Sequence, residues 1–376
     1  MRVDNVKPLG HSPLIEYPWA SEIDRLLASA IGSNSAYRAF LFDAVVSLAY
    51  IDATAGLEKS VERCDSVTGS YNAHLGFINL CSPCYEKNIW QYQKAAKPES
   101  GALGKLSSEI ILKFVEYFSP NFVSVLAIGG SDYADAVIQH SSGLKILAEV
   151  KSAPLMTYPL LINSKEASAV SHHQKVIMTS SQLRACDTAL YLHDGKVIPL
   201  GKAGSENWPF KGFVDFVLDG VNASDMVQHL KVWMAARDTY KNKNRQDKFY
   251  YLTNACGSPP AEAKKKHGWP QKEVISDGKT SAGMDRTDDI KKGIYQTLKI
   301  GVKHKQNGEY RTAIISNLPA YRHGVEYVEP LVPMLWGFEE DLEELDGKQA
   351  IPRNKLRYAF DYIITLEEPL LRGLDI

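Results

Sequence analysis

Glu149 and Lys151 stand two positions apart in an otherwise apolar run, and Asp135 precedes Glu149 by fourteen positions. Alternation along a strand puts Glu149 and Lys151 on one face. Their neighbours Val137, Ile146, Leu147 and Val150 are apolar, so the charges fall in strands that favour burial. An isolated Glu-x-Lys is ordinarily a surface ion pair of little worth. Buried carboxylates and ammonium groups persist when they pair or bind a metal. Asp135 and Glu149 offer hard oxygen ligands suited to one or two Mg2+ ions, and the backbone carbonyl of Val150 can add another. Phosphodiester hydrolysis needs an activated water and neutralised phosphate charge. Lys151 can orient that water, act as its general base once its pKa is lowered, or stabilise the pentavalent phosphate.

The elements that must position these groups follow from local pattern. Strands over 134–140 and 144–153 are joined by Ser141-Ser142-Gly143, a hairpin signal. Upstream, Ser107 or Ser108 starts a helix over 109–118 that carries Glu109 and stops at Ser119-Pro120; a strand over 122–128 and Gly129-Gly130 come next. Two downstream pairs compete to complete the sheet. One is a helix over 165–181 with a strand over 188–192. The other is a helix over 288–300, capped by Thr287 with acids in its first turn, and a strand over 311–316. The second choice makes 155–284 an insertion and brings Lys291, Gln296 and Lys299 near the active site; otherwise those residues form a solvated helix face.

A helical Glu, a strand, a Gly-rich turn, an Asp opening a strand and Glu-x-Lys on the next strand resemble the PD-(D/E)xK nuclease superfamily. In that resemblance Asp135 takes the place of the motif aspartate, Glu149 and Lys151 form the (D/E)xK pair, and Glu109 matches the helical acid. Ala134 replaces the proline that often precedes the aspartate, and Asp132 in the Gly-Gly-Ser turn is the alternative aspartate. The resemblance covers about 50 residues. It implies an α/β (α+β) fold with a restriction-endonuclease-like core, a mixed central sheet flanked by helices, and a helical N-terminal region. It also implies a Mg2+-dependent DNA endonuclease, most like a type II restriction enzyme that cleaves double-stranded DNA as a homodimer. A structure-selective repair or recombination nuclease, and a non-catalytic DNA-binding protein retaining the fold, are the alternatives. No Gly-x-x-x-x-Gly-Lys-[Ser/Thr] phosphate loop occurs.

At 376 residues, 44% hydrophobic and 23% charged, the chain has the composition of a globular protein of two or three domains. The expected division is a mostly helical region over 1–95, a catalytic core over 96–200, and an α+β region over 201–376, part of which (285–320) completes the core. No apolar run reaches the roughly 18 residues of a membrane span, and the N-terminus lacks a signal-peptide core, so a cytoplasmic protein is expected.

Five cysteines are too few and scattered for a disulfide framework. Cys64, His74, Cys81 and Cys84 have the types and number for tetrahedral Zn2+, against a reading as unligated buried cysteines. His172 and His173 receive no ligand role, because adjacent residues on a helix do not face together. The net charge of -1 conceals a basic stretch over 231–305 and an acidic run over 339–346. Within the basic stretch Asn242, Lys243, Arg245, Lys264, Lys265, Lys266 and Arg286 are candidate DNA contacts, interleaved with Trp233, Tyr240, Phe249, Tyr250, Tyr251 and Trp269. The competing reading there is a plain exposed loop.

Overall fold

The helix Thr287–His304 follows from its own charges and spacing. Asp288 and Asp289 occupy its first turn and Lys303 and His304 its last, each favourable to the helix dipole. Its buried positions Ile290, Gly293, Thr297 and Ile300 recur at helical spacing and form one stripe. That stripe packs on the strands Lys145–Val150 and Tyr310–Ser316. The computed structural model describes residues 10–55, 59–67, 69–129, 134–254, 256–276, 282–285, 287–304 and 310–376; Asp132 and Arg286 lie outside them.

The chain is mixed α/β and divides into two units whose segments alternate. The first comprises Met1–Pro13, Ile111–Ser152 and Gly283–Ile376. Its six-stranded sheet has the order Gly10–His11, Phe122–Ile128, Ala136–His140, Lys145–Val150, Tyr310–Ser316 and Tyr362–Thr365. The first three junctions are antiparallel and the last two parallel, so the sheet is mixed. Gly143, at φ +87°, makes the hairpin turn that sends Ala136–His140 into Lys145–Val150. The pair that completes this sheet is the later one, around 287–316. The first strand of the hairpin starts two residues later than expected and ends at His140 as expected, while the second is shorter than 144–153 at both ends.

The second unit comprises Leu14–Ile110 and Ala153–Ala282. Its sheet is antiparallel throughout, in the order Val197–Lys202, Asp187–Tyr191, Leu160–Asn163, Ala73–Leu75, Lys59–Arg63 and Lys175–Met178. The helix Ser35–Ala55 supplies much of its core, including Phe40, Phe42, Val45 and Leu48. Asp43 of that helix is fully buried. Its carboxylate accepts from the backbone N–H groups of Leu155 and Met156 at 3.1 and 2.9 Å and from Trp233 Nε1 at 2.8 Å. Three donors satisfy a charge that would otherwise be costly to bury.

Three expectations need revision. The boundaries at 95 and 200 do not coincide with these units, because each unit is drawn from separated segments. The region 1–95 is less helical than expected: Lys59–Arg63 and Ala73–Leu75 lie inside a sheet. The stretch 165–181 is not one helix but Lys165–Ser168, the strand Lys175–Met178 and the start of Ser180–Ala185. Ser164 and Thr179 each cap a new short helix, and His173 at φ +60° breaks the chain between them.

Candidate functional site

Alternation on Lys145–Val150 leaves Glu149 beside the chain's next residue but one, Lys151, and the two meet: Lys151 Nζ donates to Glu149 Oε1 at 2.5 Å and to the Val150 carbonyl at 3.3 Å. Their side chains are 21% and 10% exposed, so a few atoms of each remain reachable from solvent. Asp135 stands just before the partner strand. Its backbone N–H donates to the Ala148 carbonyl at 2.9 Å, and its Oδ2 accepts from the Val150 N–H at 2.8 Å. That bond holds the carboxylate across the hairpin, next to Glu149. Burial, then the neighbouring Asp135 carboxylate, push the Glu149 pKa up, while Lys151 opposes them.

The far side of the site comes from the parallel strand and its helix. Lys151 N–H donates to the Ile315 carbonyl at 2.9 Å, which extends the ladder one residue past the strand. Gly293 packs above the lysine stem; a β-carbon there would lie 3.5 Å from Lys151 Cγ. Three of the expected residues are thus brought together at the carboxyl end of Lys145–Val150. In open sheets with parallel neighbours, that end is where ligands commonly bind.

The other expected residues have varied settings. Glu109 lies on Ser100–Phe118 within the second unit, where its Oε2 accepts from the Leu14 N–H at 2.9 Å. On the helix over Lys151, Gln296 is half-buried, Lys299 is exposed, and Lys291 places its ammonium 4.8 Å from the Tyr327 ring centroid. Asn242 caps the helix Ala223–Lys241, its amide donating to the Asp238 carbonyl at 2.9 Å. Lys243 and Arg245 follow it, both exposed. Lys264 Nζ donates to the carbonyls of Gln271 and Glu273, both at 3.3 Å, while Lys265 and Lys266 are exposed. Five of the six interleaved aromatics are core residues: Trp233, Tyr240, Tyr250, Tyr251 and Trp269 are buried, and Phe249 is half-buried. They brace the second unit and are not a stacking surface for bases.

A second constellation lies within the second unit. Cys64 follows the strand Lys59–Arg63, and Cys81 and Cys84 bracket the first turn of the short helix Ser82–Glu86. Cys64 Sγ lies 3.5 Å from Cys81 Sγ and 3.7 Å from Cys84 Sγ. None of the three forms a disulfide. Cys84 Sγ also lies 3.3 Å from His173 Nε2 and 3.9 Å from His172 Nε2. His173 Nδ1 in turn meets Glu62 Oε1 at 2.7 Å. Burial works against a charged His173, but its contacts with Cys84 and Glu62 prevail and push its pKa up to about 9. Hydrogen bonds from Cys64 and Cys81 hold the Cys84 thiol well below the ordinary range.

His74 is not in this group. It is buried in Ala73–Leu75, and burial pulls its pKa down to about 4. The histidines that do reach the thiols are the two set aside on the helical reading. Antiparallel pairing of Lys59–Arg63 with Lys175–Met178, and the bond from His173 N–H to the Arg63 carbonyl at 2.9 Å, bring them there. An adjacent His-His ahead of a strand-forming Lys-Val-Ile-Met was the available signal.

Among the described residues no helix is long and apolar enough to cross a membrane. Compared with protein families, curated proteins and solved structures, the chain matches none.

Proposed function

We propose that the chain is a Mg2+-dependent DNA endonuclease with a PD-(D/E)xK core. In this reading it is a cytoplasmic type II restriction enzyme that cuts double-stranded DNA as a homodimer. The observation that carries the reading is the meeting of Asp135, Glu149 and Lys151 at one end of a mixed sheet, under a helix. Two carboxylates side by side, one with its pKa raised by burial and then by the other, form a hard-oxygen donor set that a divalent cation would relieve. Asp135, Glu149 and the Val150 carbonyl would hold Mg2+, which supplies charge neutralisation at the phosphate and a more acidic attacking water. The Val150 N–H fixes the Asp135 carboxylate, so its direction is set before substrate arrives. Lys151 is held by the Ile315 carbonyl at its backbone and by Gly293 along its stem, and this leaves its ammonium to move between Glu149 and the phosphate. Cutting both strands at a symmetric sequence calls for two such sites related by a twofold axis.

Incubation with plasmid and genomic DNA in Mg2+, followed by sequencing of the fragment ends, tests the reading. Discrete fragments with a shared end sequence are expected. Smearing or preferential cutting of branched DNA would assign the same site to a repair nuclease. DNA binding without any Mg2+-dependent cleavage would overturn the enzymatic reading.

A further inference from the structure

We propose that Cys64, Cys81, Cys84 and His173 form a structural zinc site, with Glu62 as the carboxylate that orients the histidine. The distances carry the argument. Four ligands placed tetrahedrally around Zn2+, with sulfur at about 2.3 Å and nitrogen at about 2.0–2.1 Å, stand about 3.8 Å apart for sulfur pairs and about 3.6 Å apart for sulfur and nitrogen. The sulfur separations of 3.5 and 3.7 Å and the Cys84–His173 separation of 3.3 Å are close to that frame; His173 does not lie within 4.8 Å of all three thiols, so its ring would have to close on the other two as the metal binds. A disulfide would need about 2.05 Å. The three thiols are fully buried, walled by Val67, Leu161, Ala189 and Tyr191, and soft donors gathered in such surroundings suit a soft-to-borderline cation.

His173 is the fourth ligand on its bonding pattern. Its Nδ1 is committed to Glu62, which leaves Nε2 aimed at Cys84. A carboxylate on the distal nitrogen is the usual orienting partner of a zinc-bound imidazole. His172 offers Nδ1 to the Asp65 backbone N–H at 3.0 Å, and its Nε2 is farther from Cys84. His173 also sits at φ +60°, an uncommon backbone state for a non-glycine residue that often marks a functional position. The Cys84–His173–Glu62 line also resembles an activated-cysteine relay, but a nucleophile must be approachable. Cys84 is instead enclosed by two further thiols. The site would tie three separated segments, 62–66, 81–84 and 172–173, at one edge of the antiparallel sheet. On binding, the thiols that still carry protons and the His173 imidazolium release them to water, and the sulfurs coordinate as thiolates with the neutral imidazole.

The test uses the full chain, purified without chelator. Elemental analysis should find zinc in stoichiometric amount. After removal of the metal, titration with Co2+ should give the intense thiolate-to-cobalt charge-transfer absorption. His173→Ala should lose the metal, His173→Cys should keep it by supplying a fourth thiolate, and His74→Ala and His172→Ala should keep it. Glu62→Gln should weaken binding by about 10–100-fold. A wild-type chain that takes neither ion would overturn the site. So would Co2+ binding without the charge-transfer band, a Cys64–Cys81 disulfide in the native protein, or selective alkylation of native Cys84. Metal loss in His74→Ala with retention in His173→Ala would overturn the assignment of the fourth ligand. None of these readouts depends on DNA cleavage, so the zinc site and the nuclease reading can fail separately.

Discussion

The two constellations stand on sheets of equal strand number but different construction. Asp135, Glu149 and Lys151 come from one hairpin in a mixed sheet, and the parallel neighbour and its helix only complete their surroundings. The thiol cluster draws on three segments around an antiparallel sheet, and no two strands alone would make it. A hairpin brings charged oxygens close through short-range spacing and leaves them partly wet. The cluster buries its soft donors completely. The first arrangement suits a group that must meet a substrate, and the second suits one that holds the chain together.

Substitutions can break this contrast. Asp135→Ala and Lys151→Ala should each lower the rate of plasmid cleavage by at least about 10²–10³ while leaving the zinc content unchanged. Cleavage like the wild type by both would remove the hairpin as the site. In the second unit, Asp43→Ala leaves the donors of Leu155, Met156 and Trp233 unsatisfied and should cost about 3 kcal/mol in urea denaturation; a loss under about 1 kcal/mol would mean that water replaces the carboxylate.

A pH series probes the same unit. His193 is buried with Nε2 donating to the Thr157 carbonyl at 2.8 Å, and burial lowers its pKa to about 4. The unfolded chain binds this proton near pH 6.5, while the fold resists it down to about 4. Its contribution to stability is therefore intact above pH 6.5 and shrinks as the pH falls toward 4, by about 3 kcal/mol across that window. Thermal melts should show the decline, and His193→Gln should lessen it, leaving the share that His74 contributes over the same window.

The smallest effect concerns the helix over Lys151. A methyl group at Gly293 makes only ordinary contact with Lys151 Cγ, so Gly293→Ala should retain cleavage and gain up to about 1 kcal/mol from helix propensity. Gly293→Leu should displace the lysine and slow cutting. Equal rates for the two variants would separate the helix from the site.

The hairpin was legible because its information is local. Ser141-Ser142-Gly143 marks the turn, and alternation orders Glu149 and Lys151 without knowledge of the rest of the fold. The strand Tyr310–Ser316 and its helix were also readable, but only as one of two candidates, since parallel pairing leaves no trace in the spacing of its two strands. The helical reading of 165–181 failed for a different reason. Ser164 and Thr179 are strong caps, yet the left-handed turn at His173 is set by its bond to Arg63, more than a hundred residues earlier. The fourth thiol-cluster ligand was missed with it. The aromatics among the lysines misled because burial of Trp233 and Tyr240 depends on packing partners far away in sequence.

The parallel pairing of Lys145–Val150 with Tyr310–Ser316 has a consequence for biosynthesis. The acceptor for the Lys151 N–H is the carbonyl of Ile315, so the ladder at this lysine closes only after some 160 further residues have been made. Until then one edge of the hairpin lacks its neighbour, and the helix that covers the lysine does not yet exist. A nascent chain would carry all three charged groups without the scaffold that aligns them, so their arrangement is completed only once Tyr310–Ser316 and the helix over it have been made.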